Sequence, residues 1–301
     1  MTTLDALARP TGAFAMVAMD QRESLRHMFD QAGHGRPADE VLIDFKVAVA
    51  ETLGPHASAF LADRTYGFDE VRAALAEPTG LILAVDALDQ VDGGPVGDTD
   101  IDDEALSGIP DQVDALKLLL IWRRDTRREE RVRLAARFIE EARSRGVLSV
   151  LEPVVRAAPG EQGFDADAAI REAARELSAL RPDLYKAQVP LAGSGDEKDQ
   201  RLASAALNEC MLGPWVVLSQ GVERERFADA VRAACIEGAS GFLAGRALWS
   251  DVVGEKDLRG ELRRRSVDRL KALGDIVDEH ARPWRESASG PGYAGGDGGS
   301  A

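Results

Sequence analysis

The chain has 301 residues with a formal net charge of -15. So acidic a surface disfavours nucleic acid or an anionic membrane as partner, because both reward clustered Lys and Arg. No apolar run reaches the ~20 residues that would cross a bilayer.

Taken in order, short apolar, β-branched segments alternate with amphipathic helices. Strands are predicted at 13–19, 58–62, 81–85, 116–121, 147–151, 184–189, 215–219 and 241–244. Between them, helical spacing recurs at Leu25, Met28, Phe29 and Ala32, at Leu42, Phe45, Val49 and Leu53, and at Val132, Ala135, Phe138, Ile139 and Ala142. Later helices are marked by Ile170, Ala173, Ala174 and Leu177, by Phe227, Ala230, Val231 and Ala234, and by Leu270, Leu273, Ile276 and Val277. Strands without strict polar alternation are covered on both faces, and eight βα units in series close into a single α/β domain, a (β/α)8 TIM barrel over residues 1–285. An open doubly wound sheet is the alternative. It is disfavoured because no G-x-G-x-x-G follows the first strand, where Asp20-Gln21-Arg22 stands instead.

Two stretches break the rhythm. Residues 86–112 are acidic and rich in Gly and Pro, with one helical turn expected near 103–106, and they form either a lid or an ordered surface excursion. Residues 286–301 collapse to Gly, Ser, Ala and Pro and are expected to be a disordered tail. Cys210 and Cys235 lie in helix-like stretches without a C-x-x-C pair, and no secretory h-region opens the sequence, so a cytoplasmic location is expected. His27, His34, His56 and His280 are scattered and lack the spacing of a zinc site, so neither metal nor cofactor is expected.

In a barrel the carboxyl ends of the strands carry the chemistry. Asp20 and Gln21 end the first strand, Asp63 and Arg64 the second, Asp86 the third and Glu152 the fifth. Lys186 stands inside the apolar sixth strand. Desolvation favours its neutral amine, the form that attacks a ketone, although a lysine at a strand end can also carry its ammonium to water. Lys117 on the fourth strand would disfavour a second ammonium nearby, and Glu152 between them would relay protons or pair with a lysine. After the seventh and eighth strands, Ser219, Gly221, Gly245 and Arg246 combine backbone N–H groups, a hydroxyl and a guanidinium suited to an anion. The glycines can equally serve only as turns.

The segments Gly12-Ala13-Phe14-Ala15-Met16 with Asp20-Gln21-Arg22, Asp44-Phe45-Lys46, Ala115-Leu116-Lys117 with Trp122-Arg123, Glu152-Pro153-Val154-Val155-Arg156, Asp183-Leu184-Tyr185-Lys186 and Gly241-Phe242-Leu243-Ala244-Gly245-Arg246 resemble the metal-independent class I aldolases of the tagatose-bisphosphate aldolase group. The likeness runs through residues 5–280 and leans toward the sulfofructose-phosphate aldolases of sulfoglycolysis. It implies Lys186 as Schiff-base lysine, Glu152 as acid/base, Lys117 as its neighbour, and Asp20 with Gln21 near the substrate hydroxyls. Ser219, Gly221, Gly245 and Arg246 would hold a phosphate, and Arg64 would contribute at the far end. The implied reaction is reversible cleavage of 6-deoxy-6-sulfofructose 1-phosphate to dihydroxyacetone phosphate and 3-sulfolactaldehyde by a homo-oligomer, dimer or tetramer. A tagatose or fructose 1,6-bisphosphate substrate is the alternative, and a non-catalytic sugar-phosphate sensor a third reading. Gln220 departs from the small residue expected there, and the loop at 157–163 also diverges.

Overall fold

The computed structural model describes residues 2–91 and 94–288. Strand β1 (Phe14–Met19) leads to α1 (Glu23–Phe29) and α2 (Asp39–Leu53), and β2 (Ala59–Asp63) to α3 (Phe68–Ala74). After β3 (Gly80–Ala84) come β4 (Asp86–Gln90), β5 (Val96–Ile101) and α4 (Asp103–Ser107). The βα rhythm then continues with β6 (Ala115–Trp122), α5 (Arg128–Ser144), β7 (Leu148–Val155), α6 (Ala166–Ser178), β8 (Leu184–Ala187), α7 (Glu197–Asn208), β9 (Trp215–Val217) and α8 (Arg224–Ile236). Strand β10 (Gly241–Ala244) is followed by α9 (Arg246–Trp249), α10 (Leu258–Glu261), α11 (Val267–His280) and α12 (Trp284–Ala288). Eight parallel strands close in the order β1-β10-β9-β8-β7-β6-β3-β2, the expected TIM barrel, while β4 and β5 form a separate antiparallel hairpin.

The two-residue period of the strands sorts each side chain to one of two cores. Phe14, Met16, Leu61, Ile82, Leu148, Val150, Leu184, Val216 and Leu243 fill the barrel interior. The alternate residues, Ala15, Val17, Phe60, Leu116, Leu118, Tyr185 and Phe242 among them, pack outward against the helices with Phe45, Phe138, Leu177, Phe227 and Leu270. The helix before β10 ends on Gly238 at φ +115, a conformation that L side chains rarely adopt.

The described residues of 86–112 form an ordered wall. Asp98 in the hairpin is held by Arg127 and Arg131, beside and within α5, and the expected helical turn is α4. Exposure alternates along Asp86-Ala87-Leu88-Asp89-Gln90 in the folded hairpin, but the residue types do not alternate, so the strand left no period-two signal in the sequence. The expected tail boundary at residue 286 is also corrected: α12 runs to Ala288, and the Trp284 N–H donates to the Gly12 carbonyl at 3.0 Å beneath the barrel. Here an aromatic side chain finds a docking site that composition could not foresee. Residues 289–301, the rest of that tail, lie outside the described residues.

Candidate active site

At the carboxyl ends of the strands a cavity of about 330 Å³ is lined by Asp20, Gln21, Lys117, Glu152, Lys186, Ser219, Gly245 and Arg246, with the hairpin and α1 forming one wall. Its floor follows from strand parity. Ala18 in β1, Leu184 in β8 and Val150 in β7 face the barrel interior, so Asp20, Lys186 and Glu152 face the same way two residues later. The parallel register sets Lys117 opposite Val150 and Glu152 opposite Leu119, which fixes their relative heights.

The resulting constellation is tight. Lys186, Glu152 and Lys117 are all buried. Glu152 Oε2 lies 2.9 Å from Lys186 Nζ and 3.0 Å from Lys117 Nζ. The repulsion expected between the two ammonium groups is therefore offset by a carboxylate oxygen that both share. Lys117 also donates to Asp20 at 2.8 Å and to Asp86 at 3.1 Å. Burial by itself would lower the Lys117 pKa, but Asp20, Asp86 and Glu152 outweigh it and raise the value well above the ordinary lysine range. Lys117 is thus a fixed cation. Burial would likewise raise the Asp20 pKa, but Lys117, then Lys186 and Arg22, hold that carboxyl far below its usual range.

A second tier of charges supports the first. Arg22 donates to the Asp86 carboxylate at 3.2 Å and to the Asp86 carbonyl at 2.7 Å, and its Nε lies 3.8 Å from Asp63. Asp63 in turn pairs with the fully buried Lys46 of α2. Burial lowers the Lys46 pKa and raises that of Asp63, each against the pull of the partner. Sequence reading passed over Lys46 as a functional position. Yet it falls four residues after Leu42 and three before Val49, on the core face of α2, where an ionisable residue needs a partner.

Two expected positions lie elsewhere. Arg64 does not line the cavity: it shares the outward parity of Phe60 and Ala62, and its side chain is 40% exposed and paired with Glu104 at 3.1 Å. Gly221 makes a turn at φ +85 outside the cavity lining, whereas Ser219 and Gln220 are in it. Gly245 is required sterically, since a Cβ there would come within 2.6 Å of the Ala18 carbonyl oxygen and 3.1 Å of Gln21 Nε2. Gln21 Oε1 is buried with no donor among the described residues, an acceptor open to a ligand hydroxyl. Arg156, which the sequence offered only as part of a motif, joins Arg246 in the lining. No group of three or more His, Cys, Asp or Glu among the described residues has metal-binding geometry. No helix among them is long and apolar enough to cross a membrane.

Comparisons with known proteins bear on the family and the barrel. A family model described as DeoC/LacD family aldolase matches residues 14–251. The tagatose 1,6-diphosphate aldolase of Listeria monocytogenes serotype 4a is 30% identical over 315 residues, covering 93% of this chain and 92% of that protein. Tagatose 1,6-diphosphate aldolase 2 of Streptococcus agalactiae is 28% identical over 94% of this chain and 96% of its own length. Among solved structures, fructose-bisphosphate aldolase from Plasmodium falciparum aligns with a TM-score of 0.70 at 13% identity, covering 92% of this chain and 93% of that one. An archaeal fructose-1,6-bisphosphate aldolase whose catalytic Lys carries a carbinolamine intermediate aligns with a TM-score of 0.60 at 17% identity, covering 91% and 98%. At such identities the solved structures speak to the barrel, while the family match spans most of the chain: the protein belongs to the DeoC/LacD family of aldolases.

Proposed function

We propose that the protein is a class I aldolase that forms a Schiff base through Lys186 and cleaves 6-deoxy-6-sulfofructose 1-phosphate to dihydroxyacetone phosphate and 3-sulfolactaldehyde. The observation that carries the chemistry is the single Glu152 oxygen held between the Lys186 and Lys117 ammonium groups. Lys186 becomes nucleophilic by passing a proton to Glu152 across 2.9 Å, and its amine then adds to the C2 ketone. Glu152 returns that proton to the carbinolamine oxygen as water leaves. Glu152, having given up that proton, takes the C4 hydroxyl proton as C4 becomes the aldehyde, and the iminium accepts the electron pair released when the C3–C4 bond breaks; return of the proton to C3 of the enamine and addition of water then free dihydroxyacetone phosphate and Lys186. Lys117, kept charged by its carboxylates, stays beside the relay as a fixed cation 3.0 Å from the same Glu152 oxygen.

Asp20 and Gln21 are assigned to the substrate hydroxyls, with the orphaned Gln21 Oε1 as an acceptor. The phosphate handle is assigned to Ser219, Gly245 and Arg246. Arg246 forms no ion pair among the described residues, and burial lowers its pKa, so a bound anion would stabilise its charge. Binding energy at that end holds C2 against Lys186, which is catalysis by positioning. The sulfonated substrate rests on the segment-by-segment sequence resemblance. A tagatose or fructose 1,6-bisphosphate substrate is the second reading, favoured by the activity named for the Listeria relative.

Two measurements test the proposal. Borohydride reduction with dihydroxyacetone phosphate should add the ligand's mass to the peptide containing Lys186, and a label on Lys117 instead would overturn the mechanism. A cleavage assay across the sulfonated ketose phosphate and the two bisphosphates should favour the first; a preference for either bisphosphate would transfer the assignment to it.

A further inference from the structure

Three carboxylates stand at neighbouring strand ends, those of Asp20, Asp63 and Asp86, and only two of them line the cavity. The register sets Met19 of β1 opposite Ala62 of β2, and Asp63 opposite Ala84 of β3, which brings the three side by side. Asp20 and Asp86 are in the lining and accept from Lys117. Asp63 is buried and absent from the lining. Among the described residues its partners are the Lys46 ammonium, the Tyr66 N–H at 3.1 Å and, at 3.8 Å, the Nε of Arg22. Arg22 does line the cavity.

The Arg22 guanidinium is held on two sides. Nη1 donates to the Asp86 carbonyl at 2.7 Å and Nη2 to the Asp86 carboxylate at 3.2 Å. Nε is buried without a hydrogen-bond acceptor among the described residues, so what steadies that side is the charge of Asp63. Asp63 is itself fixed, with Oδ1 on Lys46 and Oδ2 on the Tyr66 N–H, and the Tyr66 ring lies 5.4 Å from the Lys46 ammonium. A buried ion pair contributes little stability over apolar residues of the same volume. Stability therefore gives no reason for charge at positions 46 and 63, whereas a fixed anion behind Arg22 orients a cation that serves the floor of the site. Asp86 turns Oδ1 to Lys117 and Leu119 and Oδ2 to Arg22, so the plane of its carboxylate follows the direction from which Arg22 approaches. Lys117 in turn shares the Glu152 oxygen with Lys186.

We propose that Asp63 is a positioning residue for Schiff-base formation: its carboxylate, fixed by Lys46 and the Tyr66 N–H, sets the orientation of Arg22 and through it the Asp86 carboxylate that holds Lys117. Asp63 acts without touching the substrate. This deepens the aldolase reading and rests on it for the reaction observed.

The test replaces the pair as a unit, because neutralising either member alone leaves a buried charge unpaired. Lys46→Met/Asp63→Asn removes both charges and keeps the volume, Arg22→Gln removes the guanidinium, and a third variant carries all the substitutions. Single-turnover borohydride trapping over a range of dihydroxyacetone phosphate concentrations gives each protein a limiting rate and a half-saturating concentration. The neutral pair should lower the limiting rate about 3- to 30-fold, the range for residues that act through a network. Its half-saturating concentration should stay within about twofold of the parent's, because Ser219, Gly245 and Arg246 at the phosphate end are untouched. A general loosening of the barrel would move both quantities. Arg22→Gln should lower the limiting rate at least as far, and adding the neutral pair to it should lower the rate no further, since Asp63 then has no guanidinium to orient. Losses that multiply, a parental limiting rate in the neutral pair, or a rise in half-saturating concentration that matches the fall in rate would overturn the proposal. Thermal midpoints of the parent and the three variants test the Asp63–Arg22 contact apart from the chemistry: their shifts should be non-additive, and additive shifts would overturn it as well. Failure of the parent to take any label would instead count against the aldolase reading.

Discussion

Replacing Asp86 with asparagine keeps the shape of the side chain and removes one of three carboxylates around Lys117. The native carboxylate accepts from Lys117 Nζ at 3.1 Å, Leu119 N–H at 3.2 Å and Arg22 Nη2 at 3.2 Å. An amide that keeps its oxygen toward Leu119 and Lys117, which share one Asp86 oxygen, turns its NH₂ group onto Arg22, which only donates, and leaves Lys117 a neutral acceptor in place of a carboxylate. Breaking a buried charge pair typically costs about 3–5 kcal/mol. Lys117 keeps Asp20 and Glu152, and Arg22 keeps the Asp86 carbonyl, so about 2–3 kcal/mol is expected here. For a domain of this size that corresponds to a thermal midpoint lowered by about 4–9 °C. Lys117 will then lean more heavily on Glu152, whose same oxygen serves Lys186, and kcat should fall about 10- to 100-fold through a weakened proton relay. Thermal unfolding by circular dichroism and single-turnover borohydride trapping measure the two effects separately. A variant destabilised as expected but with the parent's trapping rate would refute the coupling of Asp86 to Glu152 through Lys117. An unchanged midpoint would refute the burial argument.

Lys46→Met leaves Asp63 buried with Arg22 at 3.8 Å as its nearest cation, so denaturant unfolding should show a loss of about 3–5 kcal/mol, partly recovered when Asp63→Asn is added; strict additivity would deny the pair. Arg64→Ala removes only an exposed pair with Glu104, and should change stability by less than about 1 kcal/mol and leave the ratio of kcat/KM among ketose phosphates unaltered, as steady-state assays would check. Cys235, buried in α8, has its thiol pushed up to about 12 from an ordinary 9.0. Between these values the folded protein keeps a proton that the unfolded chain releases, so this contribution is complete below pH 9 and is lost as pH rises toward 12, at up to about 1.4 kcal/mol per pH unit. Urea midpoints measured from pH 8 to 11 should decline less in Cys235→Ala, and parallel declines would contradict the assignment.

The barrel and its floor were legible in the sequence because both depend on local periodicity. Unbroken apolar strands alternating with helical stripes imply a parallel sheet covered on both faces, and period-two parity sends Lys117, Glu152 and Lys186 to the same interior. The outward placement of Arg64 was legible by the same rule, since Phe60 and Ala62 share its parity. Tertiary structure alone decided which charge meets which. Asp20 and Lys117 lie 97 positions apart and meet only because β1 and β6 belong to one closed ring. Lys46 reaches Asp63 from a helix, and Arg123 gains Arg156 as a neighbour through the register of two strands. Local pattern determines which face a side chain takes, but the distance between two charges, and therefore their protonation and chemistry, is set by closure of the barrel.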